Sequence, residues 1–188
     1  LQAEADLRSE IDNLKKEDVK YEGKLPLYDF QRIGANFLKQ MPHALLADMP
    51  GLGKSIQTLA ALEDVQDNIL ILVPASLKYS WAAEMEKWHG SGRSNVVSGN
   101  KEERTKQWSN SREYKYTIAN YELLLHDHDV MPKEWRVIVC DEATRISNSK
   151  AKTTQILKSL KAYKKIALTG TPISNSPEDI FSLIDWFY

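Results

Sequence analysis

Residues 45–59 read Leu-Leu-Ala-Asp-Met-Pro-Gly-Leu-Gly-Lys-Ser-Ile-Gln-Thr-Leu. An apolar run breaks into a Pro/Gly turn at 50–53, and Lys54-Ser55 then opens a helical pattern. Glycines let backbone N–H groups curl around a phosphate, and the next helix adds the positive end of its dipole. Lys54 can reach the β- and γ-phosphates of a nucleotide, and the Ser55 hydroxyl can bind Mg²⁺. The stretch therefore predicts a strand, a phosphate-binding loop and a helix.

The loop departs from the full phosphate-loop pattern at one position. Gly-x-x-x-x-Gly-Lys-Ser/Thr would have a glycine where Asp48 stands. An ordinary strand–turn–helix corner is therefore the structural alternative for this stretch. If the loop binds a nucleotide, its candidate contacts are Asp48, Met49, Pro50, Gly51, Leu52, Gly53, Lys54 and Ser55.

The composition limits the class of protein. The 188 residues suit one domain, and 42% hydrophobic with 27% charged residues is ordinary for a globular chain. A net charge of −1 gives no overall attraction to nucleic acid or membrane. The single cysteine, Cys140, excludes an internal disulfide, and its apolar neighbours predict a small core residue. Without an apolar stretch long enough for a membrane span or a signal peptide, we expect an intracellular protein, nuclear or cytoplasmic.

Apolar runs and helical patterns alternate along the chain. This order predicts an α/β fold, a mostly parallel sheet with helices on both faces, where ligands bind at the carboxyl ends of strands. Residues 1–24 read as an amphipathic helical lead-in and connector, and residues 25–188 as the main domain. The expected strands are 43–47, 69–73, 95–97, 115–119, 136–140 and 164–169. The expected helices are a first one from about residue 27 and then 54–64, 76–88, 101–109, 121–126, 150–161 and 177–187.

A second group of candidate residues follows the apolar run 137–140. Asp141 and Glu142 come at the end of this expected strand. A phosphate-cleaving enzyme needs one carboxylate for its Mg²⁺ and another to polarise the attacking water. Solvated turn acids are the commoner meaning of such a pair alone, but a phosphate loop in the same sheet favours the catalytic interpretation. The run 145–165 then carries seven bases and no acid, which suggests a solvated helix face or a contact with nucleic acid.

A third strand pattern ends in hydroxyl residues at 166–175. With it, the order of motifs resembles the first RecA-like lobe of superfamily-two helicases, and the Swi/Snf-type DNA translocases most closely. The stretches that carry this resemblance are Leu27–Gln31, Leu46–Gln57, Leu72–Leu77 with Trp81, Glu84 and Trp88, Ile118–Leu123, Asp141–Thr144, and Thr169–Pro172 with Asn175. Together they cover roughly residues 25–188. We interpret Trp81 and Trp88, which share one helical face, as core packing.

The resemblance implies ATP and Mg²⁺ as cofactors, double-stranded DNA as partner, and a second RecA-like lobe that is absent from this chain. It assigns adenine recognition to Gln31, the catalytic roles to Lys54 and Glu142, and the metal to Ser55 and Asp141. It assigns coupling between motifs to Thr144, Thr169 and Thr171, and nucleic-acid contacts to Ser76, Lys78 and Asn120.

Three departures from the family pattern leave alternatives open. Met49-Pro50 stands where Glu-Met is usual, Ser55 replaces threonine, and Thr144 replaces a histidine that can carry charge.

An RNA helicase of the same superfamily would be expected to end its acidic motif in aspartate. A non-catalytic binding module would be expected to lose Lys54, Asp141 or Glu142. A nucleotide kinase would need an acceptor site, which the sequence does not suggest.

Overall fold

Six parallel strands form the centre of the domain. The computed structural model describes Ser9 and residues 26–188 apart from 67, 147, 149 and 172–177, with the backbone alone for 178–180. All paired strands of the sheet run parallel, in the order β1-β6-β5-β2-β4-β3. The strands are β1 His43–Leu46, β2 Ile69–Val73, β3 Ser94–Val96, β4 Tyr116–Asn120, β5 Glu134–Asp141 and β6 Lys161–Leu168. The predicted α/β fold with a parallel sheet is confirmed.

Helices connect the strands, as parallel pairing requires. They are α1 Asp29–Gln40, α2 Lys54–Ala61, α3 Lys78–His89, α4 Lys101–Ser109, α5 Leu123–His126, α6 Lys152–Ser159 and α7 Glu178–Phe187. Short 3₁₀ turns lie at Ala75–Leu77, Ser111–Glu113 and Ala143–Ile146. The described part of the chain contains no helix long and apolar enough to cross a bilayer.

The two faces of the sheet pack into two separate cores. Successive residues of a strand point to opposite faces, so Ile69, Ile71 and Val73 enter one core while Leu70 and Leu72 enter the other. The first core takes its helical residues from α1, α2 and α3, among them Leu38, Leu59 and Trp81. The second takes them from α4, α5, α6 and α7, among them Trp108, Leu124, Leu157 and Trp186. The central strands β2 and β4 are buried along their whole length; this explains the continuous apolar sequence of β2, whereas β4 also buries the polar Thr117 and Asn120.

The basic run 145–165 does not form one helical face, so that interpretation is wrong. Helix α6 ends at Ser159 and β6 begins at Lys161, three residues before the expected strand. Lys164 donates to the carbonyl of Lys39, 2.9 Å away, and Lys165 donates to that of Trp186, 2.7 Å away. These lysines use their ammonium groups to join the strand to α1 and to the end of α7.

Three smaller predictions concern individual residues and the first segment. Cys140 is fully buried in β5, which confirms it as a core residue. Trp81 is 3% exposed and Trp88 packs partly buried against the same core, as predicted. The predicted lead-in at 1–24 lies outside the described residues apart from Ser9.

Candidate functional site

The phosphate-loop stretch forms a turn between β1 and α2. Gly51 and Gly53 have φ values of 86° and 75°, in the left-handed region that favours glycine. A Cβ on Gly53 would also lie 2.6 Å from Nε2 of Gln31, whereas a Cβ on Gly51 would meet nothing within 4 Å. The backbone at Gly51 is therefore open on its outer side, and Gly53 brings the start of α2 against Gln31.

Lys54 is the first residue of α2, and its ammonium group folds back over the loop. Nζ donates to the carbonyl of Asp48 at 2.8 Å and to that of Met49 at 3.3 Å. Ser55 follows in the first turn of the same helix and is half-buried. The side chains of Lys54 and Ser55 therefore lie at the N-terminus of α2, where the free backbone N–H groups of a helix can bind an anion.

Gln31 reaches the loop from α1. Its Oε1 accepts from the backbone N–H of Tyr28 at 3.1 Å, and its Nε2 donates to the carbonyl of Leu52 at 3.4 Å. The side chain is 7% exposed. An amide group has two lone pairs and two N–H donors, so these bonds leave one donor and one acceptor for a base edge. Gln31 as the adenine-reading residue stays a prediction.

Gln57 supports the loop, a role that the sequence analysis did not assign. Nε2 of this fully buried side chain donates to Oδ2 of Asp48 at 2.9 Å and to the carbonyl of Leu52 at 3.2 Å. The Asp48 carboxylate therefore stabilises the loop by accepting a hydrogen bond from Gln57. The signal in the sequence was the amide of Gln57 among the apolar residues Ile56 and Leu59 of α2, because a buried amide needs partners.

Asp141 ends β5 with its carboxylate held by two donors. Nε1 of Trp81 donates to Oδ2 at 2.8 Å, and the backbone N–H of Glu142 donates to Oδ1 at 3.0 Å. The Tyr121 hydroxyl donates to the backbone carbonyl of Asp141 at 2.7 Å, and burial raises the pKa of that phenol well above its usual range. Glu142 itself has a φ of 49°, which is uncommon for a residue with a side chain and turns it away from the strand direction.

The hydroxyl segment after β6 lies between the phosphate loop and the acidic pair Asp141-Glu142. Thr169 is fully buried, its N–H donates to the carbonyl of Leu46 at 3.1 Å, and its Oγ1 accepts from the N–H of Thr171 at 3.1 Å. A Cβ on Gly170 would lie 2.9 Å from Cγ of Pro50, so this segment contacts the phosphate loop directly. Within the described residues Thr144 makes no hydrogen bond to Thr169 or Thr171, and its coupling role stays a prediction.

The pairing register of the sheet aligns the phosphate loop, the hydroxyl segment and the acidic pair. Leu46, Leu168 and Asp141 lie side by side across β1, β6 and β5. Because neighbouring strands are about 4.8 Å apart, Asp141 begins its turn about 10 Å from the strand that feeds the phosphate loop. The carboxyl ends of three adjacent strands therefore present the loop, the hydroxyl segment and the acidic pair at one edge of the sheet.

The candidate nucleic-acid residues follow β2 and β4, farther along the same edge. Ser76 is exposed in the 3₁₀ turn after β2. Nζ of Lys78 donates to the carbonyl of Val97 at 2.9 Å, and Nδ2 of Asn120 donates to Oε2 of Glu122 at 2.6 Å. The bond from Asn120 lowers the pKa of Glu122, whose other oxygen lies 3.5 Å from Nη1 of Arg145. The structure groups these residues without assigning them a ligand.

A family model described as the SNF2-related domain matches residues 30–187. The chain belongs to this family. The resemblance drawn from the motifs is therefore confirmed.

Three similar proteins agree with the family and the fold. The Homo sapiens DNA repair and recombination protein RAD54B is 36% identical over 155 residues, which cover 76% of this chain and 17% of that protein. The Homo sapiens SWI/SNF-related matrix-associated actin-dependent regulator of chromatin subfamily A member 1 is 31% identical over 175 residues, 86% of this chain and 17% of that protein. The solved Sulfolobus solfataricus SWI2/SNF2 ATPase core in complex with dsDNA superposes with a TM-score of 0.79 at 32% identity. That match covers 88% of this chain and 36% of the solved one, so the SNF2 chain spans only part of each relative's length.

Proposed function

We propose that this SNF2 chain is the ATP-binding lobe of a DNA-dependent ATPase that couples ATP hydrolysis to movement on double-stranded DNA. The main support is the meeting of the phosphate loop, the acidic pair and the hydroxyl segment at the ends of β1, β5 and β6. A relative solved as an ATPase core with dsDNA adds support for both ligands. Such an activity would act inside the cell, where the DNA is.

The donor set suits a nucleotide with Mg²⁺. Mg²⁺ prefers oxygen ligands and is commonly held by one or two protein groups together with phosphate and water. Ser55 and Asp141 offer a hydroxyl and a carboxylate at the same edge of the sheet. No group of three or more His, Cys, Asp or Glu in the described ranges could hold a metal alone, which fits a site completed by phosphates.

The positions of the side chains support the following roles in this proposal. The backbone N–H groups of the Gly51–Ser55 stretch hold the phosphates, and the Lys54 ammonium leaves its two carbonyl partners to neutralise phosphate charge. Gln31 holds the adenine edge with its remaining donor and acceptor. Glu142, turned out of the strand by its positive φ, orients the attacking water. Bound Mg²⁺ would neutralise the charge that develops on the phosphates.

The hydroxyl segment links hydrolysis to the rest of the protein in this proposal. Gly170 touches Pro50 of the phosphate loop, while Thr169 is bonded to the strand that feeds that loop. A change of the loop between nucleotide states would therefore displace Thr171 as well. A second RecA-like lobe, if it docks on this segment, would supply arginine to the developing charge.

Two substitutions in the protein at its natural length test this assignment. Lys54→Ala should abolish tight ATP binding, because it removes a positive charge from the phosphates. Glu142→Gln should keep ATP binding and lower DNA-stimulated turnover by about 10²–10⁴-fold, because it keeps the shape of the side chain and removes the general base. Binding is measured with a fluorescent ATP analogue and turnover by phosphate release. Near-normal turnover of Glu142→Gln would assign the base elsewhere, and wild-type protein that binds ATP without hydrolysing it would favour the non-catalytic module.

A further inference from the structure

The indole of Trp81 makes a buried hydrogen bond to the acidic motif. Trp81 lies on α3, in the first turn of the helix, and its Nε1 is 2.8 Å from Oδ2 of Asp141. The indole is 3% exposed and Asp141 is 8% exposed, so water competes little for this bond. Sequence reasoning explained the bulk of Trp81 as core packing and gave no role to its one polar atom.

The chemistry of this bond fixes its direction. An indole N–H only donates and a carboxylate only accepts, so the pairing needs no choice of tautomer or amide orientation. Asp141 then has Oδ2 held by Trp81 and Oδ1 held by the N–H of Glu142. Because both oxygens are held from the protein side, the plane of the carboxylate cannot rotate freely. Each oxygen keeps a lone pair that can face a cation.

We propose that Trp81 is a positioning residue that holds the Asp141 carboxylate in the orientation that binds Mg²⁺ with ATP. This inference rests on the proposed function, since it takes Asp141 as a metal ligand. Hydrogen-bond partners behind a metal ligand restrict its orientation, and their loss typically weakens metal binding by about 10–100-fold. Loss of the Trp81 bond should raise the Mg²⁺ concentration needed for ATP binding and leave the other nucleotide contacts in place.

Trp135 provides a matched control, because it lies in the same strand as Asp141. It lies near the start of β5, at the end opposite to Asp141, and is 1% exposed. Its Nε1 also donates a hydrogen bond, to the carbonyl of Pro132 at 3.0 Å. Trp81→Phe and Trp135→Phe therefore remove the same group from two buried sites and differ in the acceptor that is left without its donor.

The experiment measures the Mg²⁺ concentration that gives half-maximal binding of a fluorescent non-hydrolysable ATP analogue to the protein at its natural length. Trp81→Phe should raise this concentration about tenfold, while Trp135→Phe should change it less than twofold. Analogue binding in EDTA should be the same for both variants and the wild type. A direct Mn²⁺ titration followed by electron paramagnetic resonance should show the same decrease in metal affinity for Trp81→Phe.

Asp141→Asn separates failure of this inference from failure of the proposed function. Adding Trp81→Phe to Asp141→Asn should cause no further rise in the Mg²⁺ requirement, because the two residues act as one unit. If Asp141→Asn raises the requirement and Trp81→Phe does not, the positioning role is overturned. If neither does, the metal assignment in the proposed function is wrong. If Trp81→Phe does not fold, benzothienylalanine in its place keeps the indole shape and replaces only the N–H with sulfur.

Discussion

Gly34 gives the side chain of Gln57 the space that it needs behind the phosphate loop. A Cβ on this glycine of α1 would lie 1.7 Å from Oε1 of Gln57. Gln57 in turn holds Asp48 and the Leu52 carbonyl. The close approach of α1 and α2 therefore determines the shape of a loop that neither helix contains.

Gly34→Ala should destabilise the protein, against the usual effect of this change in a helix. Alanine normally favours a helix interior by about 1 kcal/mol over glycine, but overpacking costs about 1–3 kcal/mol. We expect a net decrease of about 1 kcal/mol in the free energy of unfolding, together with weaker ATP binding. Urea unfolding and an ATP titration measure the two effects.

Gln57→Ala provides the control for this prediction. In that background the methyl group of Gly34→Ala no longer meets an amide, so the same change should be neutral or stabilising. An equal decrease in stability in both backgrounds would show that the methyl group clashes elsewhere.

The packing of α4 against the loop after α5 depends on a buried ion pair. Nε and Nη2 of Arg104 each lie 2.8 Å from an oxygen of Asp127, whose side chain is inaccessible to solvent. Nε1 of Trp108 adds a third bond at 3.0 Å. Burial alone would raise the pKa of Asp127, but the bonds from Arg104 and Trp108 outweigh it and lower the pKa. The carboxylate is thus charged and fully paired inside the fold.

Asp127→Asn should lower the free energy of unfolding by about 2–4 kcal/mol at neutral pH, because it leaves Arg104 without its counter-charge. The folded pKa of Asp127 lies below the unfolded one. Its stabilisation is therefore complete above the unfolded pKa and is lost as pH falls through the folded pKa, so the difference between wild type and variant should shrink below about pH 4. Urea unfolding across this pH range measures it. The exposed pair of Asp129 with Lys101, 3.5 Å apart, is the control: Asp129→Asn should lower the free energy of unfolding far less than Asp127→Asn does.

The first half of the basic run offers a test of DNA contact at the start of α6. Lys150 and Lys152 are exposed beyond the acidic motif. If they contact DNA, replacing both with alanine should weaken binding to every double-stranded sequence alike. It should also reduce the slope of log affinity against log salt by about one unit for each phosphate that the variant no longer binds.

Lys161→Ala is the matched control for this salt experiment. Lys161 is exposed at the first position of β6, the end opposite to the candidate site, and pairs with Glu134 at 3.3 Å. Its replacement should leave the salt slope unchanged. An unchanged slope for the double variant as well would mean that Lys150 and Lys152 are only solvated.

At the scale of the molecule, one edge of the sheet contains two groups of candidate residues. Those for the nucleotide follow β1, β6 and β5, and those for nucleic acid follow β2 and β4. Among the described residues, three side-chain contacts join the two sets of strand ends: Trp81 bonds to the Asp141 carboxylate, the Tyr121 hydroxyl bonds to the Asp141 carbonyl, and Arg145 approaches Glu122. A shift of α3 or of the turn after β4 would therefore reach the acidic motif through a direct contact.

The sequence predicted the elements of this edge better than the contacts within it. Alternation of apolar runs and helical patterns located all six strands, and the signal was clearest in β2, where burial of every residue leaves a continuous apolar sequence. The start of β6 was missed since its exposed lysines resemble a helical surface. The bond of Trp81 to Asp141 joins residues 60 positions apart, and it depends on how α3 packs on the sheet, which periodicity does not specify.

The isolated 188-residue chain should fold but hydrolyse ATP barely above background. It contains candidates for the phosphate loop, the metal ligands and the base, while the family expectation assigns the arginine to another lobe. An arginine that reaches the transferred phosphate contributes roughly 10³–10⁵ in rate. Arg145, the arginine nearest the acidic pair in sequence, is half-exposed and lies 3.5 Å from Glu122. We therefore expect weak binding of Mg-ATP and no stimulation of turnover by double-stranded DNA.

Three measurements on this isolated chain test the expectation. Urea unfolding should show one cooperative transition, because both faces of the sheet are covered within the chain. Phosphate release should stay at background with and without DNA, and Arg145→Ala should not change it. Robust, DNA-stimulated turnover would contradict the prediction. Its disappearance in Arg145→Ala would then identify an arginine inside the lobe, whereas a rate that rises with the square of protein concentration would point to an arginine from a second copy, because each site would need two chains.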